Sequence, residues 1–320
     1  MTMPDISVVI VSYNTKDLLD QCIESIFRYG NDIVREVIVI DNASADGSRD
    51  MLMTKWPNVR VISNKENCFY APACNQGLRE ATGEYILALN SDAFLTVNAL
   101  HCLKTFLEKN PDVAAAGPKL LNKDGSIQYP CARREPTFFT DLFYLICIGN
   151  ITYKFPSIDR YVNLYEPEQY YQLRNEAKIL SGACILFRSS ALKKIGFLDE
   201  RLFLLRDDTD WCIRARKKGY KLFYLPDAEV IHVGLQSRSF NSSESNLKSL
   251  ETYFRFFELY YNRLLATSLK LVILGLIILS IIKNIVLYPF NRKPRKQLPI
   301  QLKLFKTLCP LAFRLKILRP

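Results

Sequence analysis

The chain has 320 residues, 49% of them hydrophobic, and a formal net charge of +11 at pH 7. This apolar content excludes a disordered protein, and the length suits one large domain with an appendage. The charge is uneven, because residues 291–320 contain nine Lys or Arg and no Asp or Glu, and subtracting these nine from +11 leaves +2 for the other residues. A basic tail on a nearly neutral body differs from a folded basic patch, so no nucleic-acid partner is expected.

The first 120 residues alternate between strand and helix patterns. Amphipathic stretches such as Leu18–Tyr29 and Asn98–Lys109 predict helices. Between them, short β-branched runs predict five strands, at 6–11, 36–40, 59–63, 85–89 and 113–116. This alternation predicts an α/β fold, with a mixed, mainly parallel sheet and helices on both faces.

The rhythm breaks at residues 130–178, which are rich in aromatic residues and proline. A long irregular segment in a domain of this size is a substrate loop or a flexible excursion, and we interpret this one as an insertion on the substrate side. Order resumes with an apolar run at Ile179–Phe187, helices at Ser190–Ile195 and Asp208–Lys218, and a strand pair at Lys221–Tyr224 and Glu229–Val233. The first domain is therefore expected to span residues 1–237.

The C-terminal part has the character of a membrane-associating segment. It divides into an amphipathic helix at 238–263, an apolar segment at 264–290 and a basic amphipathic tail at 291–320. The uncharged centre, Leu271–Ile282, is shorter than the ~20 residues that a spanning helix needs. A single span would also place the basic tail outside, against the positive-inside tendency. A helix in the interface at the cytoplasmic face of the membrane fits better than a single span or a buried core helix.

The cysteines and the N-terminus bear on the compartment. Nine cysteines are scattered without a C-x-x-C pair, so they predict reduced core thiols and neither zinc nor redox chemistry. Residues Met1–Asp5 lack a basic and then apolar leader pattern, and no signal peptide is expected.

Polar residues follow three of the predicted strands at the point where each strand ends. Ser12 and Asn14 follow the first strand, Asp41 follows the second, and Asn90-Ser91-Asp92 follows the fourth. A single Asp after a strand is usually a turn former or a helix cap. Three such ends in succession favour a nucleotide-sized site at the carboxyl edge of the sheet, where open α/β sheets bind ligands.

Seven short motifs occur in an order that is specific as a set. They are Val11-Ser12-Tyr13-Asn14, Asp41 to Ser48, Asn67 to Gly77, Gly83-Glu84-Tyr85 with Leu89 to Asp92, Gly117 to Leu120, Ser181-Gly182-Ala183 and Asp207 to Asp210. Together they resemble the inverting family-two nucleotide-sugar glycosyltransferases of the GT-A fold, in particular the bacterial rhamnosyltransferase-like branch. The resemblance covers residues 5 to about 237.

The resemblance implies a divalent metal site, Mg²⁺ or Mn²⁺, which stabilises the departing diphosphate. Asp92 matches the metal-binding carboxylate, and His232 matches a downstream histidine that completes the metal or diphosphate site. Asn90 stands where the family often has a first Asp, which leaves Asp92 as the main ligand.

The resemblance also implies a donor of the dTDP-sugar or UDP-sugar type. Residues expected to contact the nucleotide sugar are Ser12, Asn14, Asp41, Asn75, Asn90, Ser91 and Asp92. Asp41 maps to the nucleobase contact, with a helix cap for residues 44–55 as its alternative. Phe69 stands where the family commonly has Gly, so the resemblance does not carry over the usual backbone geometry of that loop.

Asp207, Asp208 and Asp210 cluster at the start of a predicted helix. Acidic residues there also complement the helix dipole without any further function. The resemblance maps Asp208 onto the catalytic base, with Asp207 and Asp210 as a supporting acidic cluster.

The resulting prediction is an inverting transfer of a sugar, rhamnose or a related one, to a hydroxyl of a lipid-linked glycan in bacterial surface polysaccharide synthesis. A sugar nucleotidyltransferase is an alternative, although no Gly-rich phosphate loop follows Val11. A non-catalytic, membrane-bound glycan-binding scaffold is the other. The sequence gives no prediction of the oligomeric state.

Overall fold

The β-branched runs form the strands of one large sheet in a computed structural model, which describes residues 5–145, 166–234, 243–287 and 292–313. The strands are β1 Ile6–Ser12, β2 Val34–Asp41, β3 Arg60–Ser63, β4 Tyr85–Asn90, β5 Ala93–Leu95, β6 Val113–Leu121, β7 Ala132–Arg133, β8 Asn175–Glu176, β9 Ile179–Leu180, β10 Cys184–Arg188 and β11 Lys221–His232. The helices are α1 Lys16–Gly30, α2 Ser48–Lys55, α3 Tyr70–Glu80, α4 Ala99–Lys109, α5 Phe138–Leu145, α6 Ser189–Ile195, α7 Asp207–Lys217, α8 Ser243–Tyr260, α9 Arg263–Leu287 and α10 Arg292–Phe313.

The large sheet has the strand order β3-β2-β1-β4-β10-β6-β11-β5, with β8 paired to β11. Strands β1 to β4 form parallel pairs, whereas β10 runs antiparallel to both of its neighbours. The long β6–β11 pair is again parallel. The predicted α/β fold with a mixed, mainly parallel sheet is confirmed. Strands β7 and β9 form a separate antiparallel pair.

The predicted strand pair at Lys221–Tyr224 and Glu229–Val233 is wrong, because both runs belong to the single strand β11. Both pair in parallel with β6, on either side of a register shift between Leu225 and Glu229. Pro226 lies within that shift and lacks the N–H of a ladder bond. The break between the two runs is therefore an irregularity within one strand.

The core of the sheet is built from the residues that define the strand pattern. Ile6, Val8, Ile10, Ile38 and Leu87 have no exposed surface. Helix α3 lies against β1 and β2 at Gly77, where an added Cβ would meet Val9 and come within 2.7 Å of Ile40 Cδ1. The buried thiols of Cys22, Cys74, Cys131, Cys184 and Cys212 are unpaired, as expected for reduced core cysteines. Cys147 lies outside the described residues.

The chain divides into two compact units. The first comprises residues 1–135, 165–203 and 207–238 and contains both sheets. The second comprises 136–164, 204–206 and 239–320 and contains helices α5 and α8 to α10. Residues 146–165 of the predicted insertion lie outside the described residues, as do 235–242, 288–291 and 314–320 of the C-terminal part.

Helix α9 is longer than the uncharged centre that marked it in the sequence. Within its stretch Arg263–Val286, an 18-residue window reaches a mean hydropathy of 2.5, so the helix is long and apolar enough to cross a membrane. One face, with Leu269, Ile273 and Leu274, is buried within the second unit. Asn284 and Ser280 of α9 bond to Gln301 of α10, so these two helices are joined by polar as well as apolar contacts.

The second unit contains a buried ion pair between Arg206 and Asp141. Arg206 Nη2 lies 2.6 Å from Asp141 Oδ1, and the Tyr261 hydroxyl donates to Asp141 Oδ2 at 2.6 Å. The guanidinium also lies over the rings of Tyr253 and Phe256, at 5.1 and 5.0 Å from their centroids. Burial by itself would lower the pKa of Arg206, but the adjacent Asp141 carboxylate raises it, so Arg206 stays charged.

Asp141→Ala should lower the free energy of unfolding by about 3–5 kcal/mol, because it leaves the Arg206 charge buried without its counterion. Asp227→Ala is the matched control, since Asp227 pairs with Arg174 at the surface with 65% of its side chain exposed. That change should cost about 1 kcal/mol or less. Urea unfolding of the full chain measures both, and equal effects would contradict the importance of the buried pair.

Candidate active site

Strands β1, β2 and β4 end side by side at the carboxyl edge of the sheet. In the register, Ser12 lies opposite Asp41 and Val11 lies opposite Asn90. The sequence pattern thus correctly predicted that Ser12, Asp41 and Asn90 come together. Asp41 is 3% exposed, and its Oδ1 accepts from the Ser44 N–H at 3.3 Å.

A line of hydroxyl groups joins the ends of β1 and β4. Ser12 Oγ lies 3.0 Å from Thr15 Oγ1, which donates to Ser91 Oγ at 2.9 Å. All three residues are buried. Sequence reasoning missed Thr15, although its position directly before helix α1 is one where threonine is common. These hydroxyls hold the two strand ends in place.

Asn14 organises the loop that follows β2. With a φ of 53°, it accepts from the Ala45 N–H at 2.8 Å through Oδ1, and its own N–H donates to Ser44 Oγ at 3.0 Å. Helix α2 begins at Ser48, and its first N–H donates to Asp46 at 3.0 Å. Asp46, rather than Asp41, is therefore the carboxylate at the start of this helix, which removes the cap alternative for Asp41.

Asp92, His232 and Asn90 meet at one point of the edge. His232 Nε2 lies 3.3 Å from Asp92 Oδ1 and 3.3 Å from Asn90 Nδ2. Strand pairing fixes this meeting, because β5 begins directly after Asp92 and places Ala93 opposite His232. The Val233 N–H also donates to the Asp92 main-chain oxygen at 2.9 Å. Asp92 is also 2% exposed. Strand pairing and burial together hold the side chains of Asp92 and His232 in place.

The donor atoms of this group fit a divalent cation that a diphosphate also binds. Among the described residues, no three or more His, Cys, Asp or Glu side chains cluster as a complete metal site. Mg²⁺-like ions, however, commonly take one or two protein ligands and fill their other positions with water and substrate phosphates. Two ligands at ~2.1 Å in neighbouring octahedral positions are about 3 Å apart, and the Asp92–His232 separation of 3.3 Å is close to this value.

Asp208 lies at the start of α7, in a network of hydrogen-bond donors. Its Oδ2 accepts from the Gly182 N–H at 3.0 Å and from Arg133 Nη2 at 2.5 Å. Its Oδ1 accepts from the N–H and hydroxyl of Thr209, at 2.6 and 3.1 Å. An added Cβ at Gly182 would lie 3.4 Å from Asp208 Oδ2, so the glycine allows the close approach.

Arg133 is a site residue that sequence reasoning missed. It lies on β7, opposite Ile179 of β9, and this pairing directs its guanidinium to Asp208 and Thr209. Its Nε is buried and has no partner among the described residues. No local pattern could have revealed this contact, since the two partners are 75 residues apart in sequence.

The other two acids of the cluster have different surroundings. Asp210 is 3% exposed and pairs with Arg214 at 2.8 Å. Arg214 in turn donates to the main-chain oxygens of Ile195, Gly196 and Phe197. Asp210 thus anchors α7 to the turn after α6. Asp207 is 7% exposed and lines a small cavity together with Asp208, Gly182 and Tyr70.

Phe69, in the loop before α3, has a φ of 66°, a conformation that favours glycine. Its N–H donates to Asn67 Oδ1 at 2.9 Å, and its ring lies 4.9 Å from that of Phe203. Next to it, burial raises the pKa of Tyr70 well above its ordinary value, so the hydroxyl stays protonated near Asp207 and Asp208.

Asn75 lies apart from the other predicted site residues. It has no exposed surface, and its amide bonds to the main chain of Leu198 in both directions and to Glu200. With its hydrogen-bonding groups used inside the protein, it holds α3 to the turn at residues 198–200. We therefore leave Asn75 out of the candidate donor site.

One short segment, Ser181-Gly182-Ala183, contacts both Asn90, which lies beside the Asp92–His232 pair, and Asp208. The Asn90 N–H donates to the Ala183 main-chain oxygen at 3.0 Å, while the adjacent Gly182 N–H donates to Asp208. Two kinds of chemistry are thus held along one edge: a carboxylate and an imidazole suited to a cation, and a second carboxylate suited to proton transfer.

Comparisons with known proteins agree with this architecture. The chain is 28% identical over 236 residues to the N-acetylglucosaminyl-diphospho-decaprenol L-rhamnosyltransferase of Mycobacterium tuberculosis, covering 70% of this chain and 75% of the relative. It is 21% identical over 234 residues to the low-salt glycan biosynthesis hexosyltransferase Agl10 of Haloferax volcanii, covering 72% and 67%.

Solved structures share the fold. The mannosyltransferase PcManGT from Pyrobaculum calidifontis, solved with GDP-Man and Mn²⁺, aligns with a TM-score of 0.54 at 16% identity, over 99% of this chain and 89% of that chain. GalNAc-T7, solved with UDP, GalNAc and Mn²⁺, aligns with a TM-score of 0.59 at 16% identity, over 82% of this chain and 49% of that chain. These likenesses support the GT-A fold.

The family described as "Glycosyl transferase family 2" matches residues 7–196, which is more than half of the chain. Asp208 and His232 lie beyond the matched residues, so their roles depend on the geometry described above. The fold, the relatives and this match lead to one conclusion: the chain is a glycosyltransferase that belongs to glycosyl transferase family 2.

Proposed function

We propose that this enzyme transfers a sugar from a nucleoside-diphosphate donor to a hydroxyl of a lipid-linked glycan, with inversion at the anomeric carbon. The observation that supports this most is the shared edge, where Ser181-Gly182-Ala183 contacts both Asn90 and Asp208. It supports a cation-binding pair beside Asn90 and a candidate base at the start of α7, with one segment in contact with both Asn90 and Asp208. A donor diphosphate held at the first and an acceptor hydroxyl held at the second would be adjacent.

In this proposal Asp208 accepts the proton of the acceptor hydroxyl as its oxygen attacks the anomeric carbon. Thr209 and Gly182 hold the carboxylate in one orientation. Asp92 and His232 would bind Mg²⁺ or Mn²⁺, which neutralises charge that develops on the leaving diphosphate. Ser12, Asn14, Asp41, Asn90 and Ser91 shape the nucleotide end of the site, and Asp41 is the carboxylate available to a nucleobase N–H.

The donor and acceptor classes are proposed from the relatives. The M. tuberculosis relative is named as an L-rhamnosyltransferase acting on N-acetylglucosaminyl-diphospho-decaprenol. This name supports a lipid-linked acceptor, and a dTDP- or UDP-linked sugar as donor with rhamnose as the first to test. The domain proposed to catalyse this reaction is 1–237, with 130–178 on its acceptor side.

We also propose that α9 lies in the membrane interface on the cytoplasmic face. Opposite its buried side, α9 exposes an apolar stripe that contains Leu271, Leu279, Ile282 and Val286, between 45% and 64% exposed. Lys283 of α9 and Lys303 and Lys306 of α10 are exposed, and such residues suit anionic headgroups. A helix with one face buried in protein and the other apolar is suited to lie in the interface.

Replacing Leu279 and Ile282 together by Glu should release the protein from membranes. Each apolar side chain contributes about 1.5–3 kcal/mol when buried, so the pair should weaken partitioning by about 100-fold or more. Flotation with phosphatidylglycerol-containing vesicles measures this. Leu173→Glu is the control, because Leu173 is equally exposed, at 64%, but lies in the first unit. If the double variant floats like the wild type, α9 is not the anchor.

Two alternatives make different predictions. A sugar nucleotidyltransferase would consume a nucleoside triphosphate and a sugar phosphate, whereas a binding scaffold would bind glycan and consume no donor. The test is a panel of nucleotide sugars, scored first by thermal shift with and without Mn²⁺ and then by transfer to an undecaprenyl-diphosphate-linked glycan. The true donor at 100 times its Kd should stabilise the protein by about 2.7 kcal/mol. No stabilisation by any nucleotide sugar would contradict the proposal.

A further inference from the structure

Gln128 contacts His232 on the side away from Asp92. It lies just after the hairpin that follows β6, where the Gln128 N–H donates to the Leu120 main-chain oxygen at 2.8 Å. Its Oε1 lies 2.5 Å from His232 Nδ1, and its Nε2 donates to the His232 main-chain oxygen at 2.7 Å. One side chain thus contacts both the ring and the backbone of the same histidine.

The orientation of the Gln128 amide follows from its partners. The His232 carbonyl oxygen can only accept, so the amide atom 2.7 Å from it must be the NH₂ group. This NH₂ group also donates to Asn122 Oδ1 at 3.0 Å. The other amide atom, which faces the imidazole, is therefore the oxygen.

A second line of hydrogen bonds gives the same orientation independently. The Ser126 hydroxyl and N–H donate to Asp124 and lower the pKa of this carboxyl, so Asp124 is an ionised acceptor at neutral pH. Ser126 Oγ then accepts from Asn122 Nδ2 at 2.9 Å, which directs Asn122 Oδ1 toward Gln128. Donation therefore runs in one direction, from the imidazole through Gln128, Asn122 and Ser126 to Asp124.

The consequence concerns the proton on His232. Because Gln128 Oε1 can only accept, Nδ1 must carry the hydrogen, and in the neutral ring Nε2 carries the lone pair. The Nε2 atom lies 3.3 Å from Asp92 Oδ1, and two such electron-rich atoms at this distance suit a shared cation. Asn90 Nδ2, at 3.3 Å, is a donor placed on the same side of the ring.

We infer that Gln128 is a positioning residue, which holds His232 in the tautomer that binds the divalent cation through Nε2. This inference rests on the metal site of the proposed function. Histidine ligands of metals generally donate their other N–H to a fixed acceptor, and loss of that acceptor typically weakens metal binding by 10–100-fold. In this chain the acceptor is an amide supplied by the hairpin after β6.

The first test reads the tautomer directly and needs no donor sugar. The chain contains two histidines, His101 and His232, so selective ¹⁵N labelling of imidazoles in the full-length protein gives one signal set from each. With Mg²⁺ and UDP at neutral pH, His232 should carry its proton on Nδ1. Gln128→Met should abolish this preference, while Gln128→Glu, which keeps an oxygen acceptor, should retain it. A proton on Nε2 in the wild type would overturn the inference.

The second test measures the metal. Calorimetric titration of Mn²⁺ in the presence of UDP should show about 10–100-fold weaker binding for Gln128→Met. Gln21→Met is the matched control, because Gln21 is exposed on α1 and bonds to Asp17. It should leave the affinity unchanged. Equal affinities for Gln128→Met and wild type would contradict the positioning role.

The two tests separate this inference from the metal site itself. Bound Mn²⁺ should broaden the His232 signals and spare those of His101. If Mn²⁺ binds and broadens His232 while Gln128→Met changes neither tautomer nor affinity, the inference about Gln128 fails and the metal site stands. If Mn²⁺ leaves His232 unbroadened, the metal site fails, and the inference fails with it.

Discussion

Asp208→Asn should lower the turnover of sugar transfer by about 100- to 10,000-fold, the usual effect of removing a general base. The substitution keeps the size of the side chain but removes its capacity to take the acceptor proton. Donor affinity should change little, because Asp208 lies near Gly182 and Arg133 and not at the Asp92–His232 pair. The expected signature is therefore a loss in kcat with the Kd for the donor nearly unchanged.

Asp210→Asn is the matched control for this experiment. Asp210 lies on the same helix, but it is buried against Arg214, and this pair holds α7 to the turn after α6. Its loss should lower the melting temperature and leave the rate of transfer per folded molecule close to that of the wild type. Single-turnover transfer, corrected for the folded fraction, separates the two variants. Equal rates for Asp208→Asn and wild type would show that another group takes the proton.

The ion pair between Arg133 and Asp208 means that Asp208→Asn should also affect stability. Its guanidinium contacts Asp208 Oδ2, so the base is held by a cation as well as by the Gly182 N–H. An asparagine at position 208 would lose the ion pair with Arg133. Its NH₂ group would face either the Gly182 N–H and Arg133 or the N–H and hydroxyl of Thr209, and all of these groups are donors. Some loss of stability is therefore expected in Asp208→Asn, and the folded fraction must be measured before rates are compared.

The parts of the fold that the sequence predicted are those with a local physical signature. Buried β-branched runs predicted β1, β2 and β4, because a strand covered on both faces needs apolar side chains throughout. The polar residues directly after these runs predicted a site at the carboxyl edge of the sheet, since parallel strands bring their carboxyl ends together. Ser12, Asp41 and Asn90 are therefore adjacent, as expected.

Other features could not be predicted because their causes are not local. The strand β11 continues past Pro226 because β6 pairs with both of its halves, and these residues are far from β6 in sequence. Gln128 meets His232 across 104 residues, and no periodicity marks such a contact. Asn75 is the opposite case. A motif in the sequence suggested that it contacts a ligand, but its side-chain amide bonds to Leu198 and Glu200 inside the protein.

Asp92→Ala should remove the metal dependence of donor binding. Asp92 is the carboxylate that faces His232 Nε2, and Asn90 beside it supplies no charge to hold a divalent cation against a diphosphate. Loss of a residue that merely supports a ligand typically costs 10–100-fold in metal affinity. Loss of the ligand itself should cost about 100-fold or more, which corresponds to at least about 2.8 kcal/mol. Calorimetric titration of UDP with and without Mn²⁺ measures the effect.

The control for Asp92→Ala is Asp227→Ala, which removes a carboxylate from the strand of His232. Asp227 belongs to β11, as His232 does, but its exposed side chain pairs with Arg174. Asp227→Ala should therefore keep the Mn²⁺-dependent gain in UDP affinity, whereas Asp92→Ala should bind UDP equally with and without the metal. Asp92→Asn refines the test, because it keeps an oxygen near His232 Nε2 and removes only the charge. If Asp92→Ala retains the wild-type response to Mn²⁺, the cation is bound elsewhere, and the Asp92–His232 pair has a structural role instead.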